Sequence, residues 1–250
     1  MRLLLLGAAL LVPRSPGLPA SPSPGLPVSP SPGLRISPSS SSALQADDKK
    51  ELEAIMARMK LLKNYSCVVA IDGVGEKTTI ECSVADGTLY VRSPKAEVVR
   101  KGTKTLTRPK DGEWKEGPPA KDDFKQPYEA AAILVSKAPA FKKERTDKIR
   151  GVTVVVYAYS FEANAAKDAL KESGAGLWQA WVESIADWSR AKNGVLVYVS
   201  CNDKLVLRVE QRVTVPAKVG KARTMTLDLD FGDFGTTKLN LPEEVKAKLK

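Results

Sequence analysis

From Asn64 onward the chain falls into a two-residue period, and that alternation restricts it to antiparallel strands. Tyr65, Cys67, Val69 and Ile71 alternate with their neighbours, and Thr78, Ile80, Cys82 and Val84 repeat the pattern. Asp72-Gly73-Val74-Gly75 turns the chain between the two runs, and Ala85-Asp86-Gly87 turns it back into Thr88 to Arg92. Side chains two apart share one face of a strand, and short glycine-bearing breaks between such runs make hairpins. The first half of the chain therefore reads as a meander. Shorter strands follow near Glu97 to Arg100 and Lys104 to Thr107, with a hairpin at Asp111-Gly112 leading to Trp114.

The register of the first hairpin bears on the cysteines. If the turn centres between Val74 and Gly75, Cys67 and Cys82 lie directly opposite one another. Opposed residues come close enough for a disulfide, which an exported protein retains. Two buried thiols fit the same register, and Cys201, in a turn, is left over and free.

The second half repeats the alternation in Phe141 to Ile149, Val152 to Phe161, Val195 to Ser200, Leu205 to Val215, Thr224 to Phe231 and Lys238 to Leu241. Three helical segments interrupt these runs. Asp47 or Asp48 is placed to cap a helix reaching about Leu62, with Leu52, Ile55, Met56, Met59 and Leu62 on one stripe. Lys121 to Ala138 carries Tyr128, Ala131, Ala132 and Val135 on one side. The third region, broken at Ser173-Gly174-Ala175-Gly176, presents Leu177, Trp178, Trp181, Val182, Ile185 and Trp188 at helical spacing. The resulting fold class is α+β, with about ten or eleven strands in one large antiparallel sheet carrying helices on one face.

The amino terminus reads as an export signal within residues 1–20. Arg2 precedes the apolar run Leu3 to Val12, too short to span a bilayer but suited to a signal core. Leu18-Pro19-Ala20 and Leu44-Gln45-Ala46 both place leucine at the −3 position, so neither is a clean cleavage site. The expected product is extracytoplasmic, either soluble or held by an uncleaved signal. Residues 21–46 form a Pro/Ser-rich linker, overlapping an eight-residue unit that runs three times from Ser15 to Pro38. Such composition keeps a chain extended and solvated, as a spacer or as a low-complexity expansion with no sequence-specific role. The folded domain spans 47–250.

Composition narrows the chemistry. The chain has no histidine, which removes histidine triads, most zinc sites and the commonest general base. No metal site, cofactor or catalytic residue is expected. The formal charge is +10, and three of the 39 basic residues (Arg2, Arg14, Arg35) precede Asp47, leaving 36 against 29 acidic residues. This scattered excess suits an anionic membrane surface; without a binding motif or interleaved aromatics, nucleic acid is not expected.

Several motifs fail on their surroundings. Asp233-Phe234-Gly235 matches a kinase triplet, but the rest of the kinase machinery is missing. Asp72 to Thr78 lacks the Gly-Lys pair of a phosphate loop and joins two strands. Asp228 and Asp230 share one strand face without the spacing of a calcium loop, and read as a solvated acidic edge. Ser189-Arg190-Ala191-Lys192 matches a Ser-x-x-Lys pattern but reads as a polar helix end.

The order of elements resembles the LolA-like superfamily of periplasmic lipoprotein carriers, including the mycobacterial LppX/LprG-type lipoproteins. The resemblance rests on the opening helix into Tyr65-Ser66-Cys67-Val68-Val69, on Val197-Tyr198-Val199-Ser200 turning into Leu205 to Glu210, and on Asp233-Phe234-Gly235 before Lys238-Leu239-Asn240-Leu241-Pro242. It implies an incomplete antiparallel barrel whose concave face is covered by helices over an apolar cavity for acyl chains. Leu52, Ile55 and Met59 would face that cavity with Leu177, Trp178, Trp181, Ile185 and Trp188 of a lid. The expected function is non-catalytic binding of lipid acyl chains or lipoprotein, for carriage or sensing in the cell envelope. The alternative is a sensor of the same fold that binds an envelope protein partner and carries no lipid. Two features depart from the family: the signal lacks a lipid-anchoring cysteine, and the Trp-bearing insertion is long.

Overall fold

The computed structural model describes residues 42–73, 77–118, 126–161, 163–173, 182–183, 185, 187–215 and 222–249. The signal, the repeat, the Val74-Gly75 turn, the start of the helix expected from Lys121 and the glycine break after Ser173 lie outside them.

Among the described residues, eleven strands form one antiparallel sheet. The first meander comprises β1 (Tyr65–Asp72), β2 (Thr78–Ala85), β3 (Thr88–Arg92), β4 (Ala96–Lys101), β5 (Lys104–Pro109) and β6 (Lys115–Glu116). The second comprises β7 (Lys142–Ile149), β8 (Val152–Phe161), β9 (Lys192–Ser200), β10 (Val206–Val215) and β11 (Arg223–Gly232). The strand order β6-β5-β4-β3-β2-β1-β11-β10-β9-β8-β7 leaves the sheet open at β6 and β7. The two meanders meet along one seam, where β1 pairs with β11 from Ser66↔Gly232 to Asp72↔Thr226. The result is an α+β curved half-barrel.

Alternation sorts the side chains. Odd-numbered residues of β1, β9 and β11 point to the concave face, where Tyr65, Cys67, Val69, Val195, Val197, Leu227, Leu229 and Phe231 are buried in the main core. Among the described residues, three helices cover that face: α1 (Ser42–Met59), α2 (Pro127–Lys137) and α3 (Ala163–Ser173). Helix α1 is already helical at Ser42, five residues before the expected cap at Asp47. Asp48 is therefore inside the helix, where its carboxylate accepts from the Lys143 backbone N–H at 2.9 Å. Helix α2 starts where Glu129 accepts from the backbone N–H of Gln126 at 2.7 Å and Pro127 supplies a first-turn residue that needs no donor.

The convex face is partly covered too. A further helix, α4 (Glu243–Lys248), brings Val245 and the following Leu249 against Val99, Leu106 and Trp114 in a second, smaller core. The strand expected at Lys238 to Leu241 does not form. Strand β11 has β1 on one edge and β10 on the other, so no edge is open to a following strand. The chain instead turns at Asp233, whose φ is +49° and whose carbonyl accepts from the N–H groups of Thr236 and Thr237. Gly235 N–H donates to the Asn64 carbonyl at 2.8 Å and Ser66 Oγ donates to Asp233 at 2.7 Å, fixing this turn to the start of β1.

The expected solvated acidic edge is also corrected. Asp230 sits on a central strand and takes both Nε and Nη2 of Arg208, at 2.7 and 3.1 Å. Asp228, half-buried beside it, has its pKa raised, by burial first and by Glu210 second.

Candidate functional site

The helix-covered concave face is where the expected binding residues converge. Leu52, Ile55 and Met59 lie at i, i+3 and i+7 of α1 and are all 2% exposed or less. Ile185 and Trp188 are buried in the same core, with Val182 beside them in the cluster. Leu177, Trp178 and Trp181 lie outside the described residues. The five described residues thus pack with Val209, Val213 and Leu227 of the sheet into one continuous apolar layer. From α1, Met59 reaches the sheet directly: its Sδ accepts from the Val206 backbone N–H at 3.3 Å.

An open groove of about 380 Å³ lies between α1 and α2. Met56 and Ala57 line one side, Tyr128, Ala132 and Ile133 the other, and Glu53, Lys60 and Glu129 also border it. Its size is at the lower end of ligand-binding clefts. Met56, Tyr128 and Ala132 were visible in the sequence as members of apolar stripes. That two stripes would leave a groove between them depends on how the helices lie side by side. No sequence period reports that.

Polar contacts tie α1 to the sheet at one end. Lys143 of β7 reaches Glu51 at 2.6 Å and Asp48 at 3.3 Å, and its ammonium lies 5.6 Å from the Tyr157 ring centroid. The hydrogen bond from Lys143 holds the Glu51 carboxyl below its ordinary range, and its counterpart raises Lys143. A depressed acid stabilises the fold above its unfolded pKa, and a raised base does so below its own. The tether therefore contributes fully between about pH 4.5 and 10.5, and is lost as pH falls through the folded pKa of Glu51. Both side chains are more than a third exposed, so solvent screening limits the effect. Lys143→Met is expected to cost about 0.5–1 kcal/mol at pH 7. Urea titrations should show that difference shrinking below pH 4; a pH-independent difference would contradict the tether.

Cys67 and Cys82 are partners in register across β1 and β2, as the hairpin arithmetic expects. Both are buried free thiols. Burial pushes Cys82 up to about 12 and Cys67 well above its ordinary value, with Cys82 adding to the latter. Among the described residues, no cluster of three acidic, cysteine or histidine side chains is arranged to hold a metal. No described helix is long and apolar enough to cross a membrane.

No family model matches the chain, and no curated protein matches it. Solved structures similar to it include the lipoprotein LprF of Mycobacterium bovis, at 10% identity over 78% of this chain and 96% of that one, with a TM-score of 0.49. The Mycobacterium tuberculosis lipoprotein LppX gives 11% identity, 78% and 97% coverage and a TM-score of 0.47. The MucA/MucB complex of Pseudomonas aeruginosa gives 12% identity, 77% and 59% coverage and a TM-score of 0.39. At these identities and TM-scores the likeness carries no argument about family or role, and the site has to be read from this chain's own residues.

Proposed function

We propose that the protein is an exported, non-catalytic binder of lipid acyl chains or lipoprotein, which it takes up between the helices and the concave face of the sheet. The observation that carries this reading is the concave layer itself. An open sheet presents an almost wholly apolar face to α1 and α2, with an apolar groove between those helices. Each buried methylene of a chain is worth about 0.8 kcal/mol, so a long chain needs no catalytic or charged group to be held. Parting α1 from α2 would admit it, with the Trp-bearing segment as a lid. The scattered positive charge favours delivery from an anionic membrane surface.

Organic extracts of protein purified without detergent are expected to contain acyl lipid by mass spectrometry, and a fluorescent fatty-acid probe should bind. Absence of both would sink this reading. One stoichiometric envelope protein recovered without lipid would point instead to a sensor of the same fold.

Export also bears on the cysteine pair. The structure holds Cys67 and Cys82 as free thiols; we propose that exported protein joins them in a bond formed during folding, before burial renders the thiols unreactive. Protein prepared from an oxidising compartment, denatured without reductant, should titrate one thiol, Cys201, rather than three. Three would rule the bond out.

A further inference from the structure

Within the apolar concave layer, one end carries polar atoms with no hydrogen-bond partner among the described residues. They are both amide atoms of Gln211, Oδ1 of Asn193 and the indole Nε1 of Trp188. These residues are 1%, 5% and 4% exposed. Register places Gln211 and Asn193 together. Gln211 lies on β10 between Val209 and Val213, opposite Val195 of β9 and Leu227 of β11. Asn193 pairs with Val213, so Asn193 and Gln211 are diagonal neighbours on one face. Trp188 precedes them on the chain, held at the entrance to β9 by the Ala191 N–H donating to its carbonyl at 3.1 Å. The Asn193 amide nitrogen already donates to the Ala191 carbonyl at 3.2 Å, which leaves its oxygen as the open group.

A glutamine here is costly as packing. Its neighbours on the strand face are valines, leucine or methionine would fill the same volume, and a buried amide without partners loses its hydration for nothing. The open groups are two donors, Gln211 Nε2–H and Trp188 Nε1–H, and two acceptors, Gln211 Oε1 and Asn193 Oδ1. Among the described residues, the neighbours on this face of β9, β10 and β11 are the uncharged Val195, Val209, Val213 and Leu227. An ionised carboxylate or phosphate would be left there without a counter-ion, whereas a hydroxyl or ester carbonyl would satisfy these groups and bring no charge into the core.

We propose that Gln211, with Asn193 and Trp188, holds the neutral oxygen of an acyl lipid, a hydroxyl or an ester carbonyl, while the acyl chain lies along the concave face. The inference rests on the lipid-binding reading above and specifies the class of lipid. Binding of 1-monooleoylglycerol and of oleate at pH 8 to the full chain, measured by displacement of a fluorescent acyl probe, tests it. The wild-type protein should bind the monoacylglycerol at least tenfold more tightly than oleate. Gln211→Leu and Gln211→Met should each lose about tenfold for the monoacylglycerol, equivalent to about 1.4 kcal/mol. Their oleate affinity should change less than twofold, and their Tm should equal or exceed that of the wild type, because an unpartnered amide has gone. Equal monoacylglycerol affinity in wild type and variants overturns the inference and leaves the lipid-binding reading standing. A wild-type preference for oleate overturns it as well, without recourse to either variant. Failure of the wild type to bind either lipid overturns both.

Discussion

Phe231→Ala is expected to lower the unfolding free energy by about 3–5 kcal/mol, the range for a fully buried aromatic truncated to alanine. Phe231 is wholly buried on the concave side of β11, opposite Cys67 across the seam. Its ring lies 6.1 Å from that of Tyr65, which meets the Tyr128 ring edge-on at 5.8 Å. Its own carbonyl accepts from the Arg150 guanidinium, in the turn between β7 and β8. The Phe231 ring thus joins the last strand to the first, and through Tyr65 to α2, so its loss opens a cavity at a joint between elements. Urea unfolding followed by tryptophan fluorescence measures the change. A loss below about 1 kcal/mol would mean that this joint collapses freely around the gap.

That joint was the least legible part of the fold. The strands within each meander could be read locally, because, except between β8 and β9, where α3 intervenes, neighbours in the sheet follow one another in sequence through short connections. Cys67 opposite Cys82 followed from one turn and one period. Pairing of β1 with β11 brings together residues more than 150 positions apart, and alternation in either strand is the same whichever partner it has. The same blindness explains Lys238 to Leu241. Its alternation suits a strand, but whether a strand forms depends on an open edge, and β11 has none. Instead Lys238, Leu239 and Asn240 border a polar cleft with Glu81, Ser83, Tyr90 and Arg92.

The candidate site divides similarly. The apolar stripe of α1 was legible because a helix face is a local property, and Leu52, Ile55 and Met59 are buried as that stripe requires. Helix α4 left a fainter signal: Pro242 before Glu243 and Glu244, then Lys246 and Lys248, charges that suit the two ends of a helix. Gln211 was visible as the polar member of the series Val209, Gln211, Val213. Only the neighbours contributed by β9 and β11 show that it is buried and without partners.

Gly73→Ala attacks the other end of the seam, and should cost about 3–4 kcal/mol, the sum of a left-handed backbone penalty and overpacking. Gly73 follows β1 with a φ of +89°, a region open chiefly to glycine. A Cβ there would stand 2.7 Å from both Met225 Cα and the Thr224 carbonyl oxygen. Those atoms are backbone of β11, paired on its far edge with β10 through Val213↔Met225 and Thr214↔Thr224, so they cannot withdraw without breaking that ladder too. Gly87 provides the control. Its φ is +74°, yet nothing lies within 4 Å of a Cβ built on it. Gly87→Ala should therefore cost only the backbone term, about 1–2 kcal/mol. The difference between the two variants, read from urea midpoints at equal m, isolates the crowding across the seam. Equal losses would show that β11 shifts to make room, and that the meanders are joined more loosely than their register implies. A larger loss at Gly73 ties the integrity of the concave face to its central pair of strands. Both proposed roles of that face, holding an acyl chain and satisfying its oxygen, need β11 and β10 kept in this register.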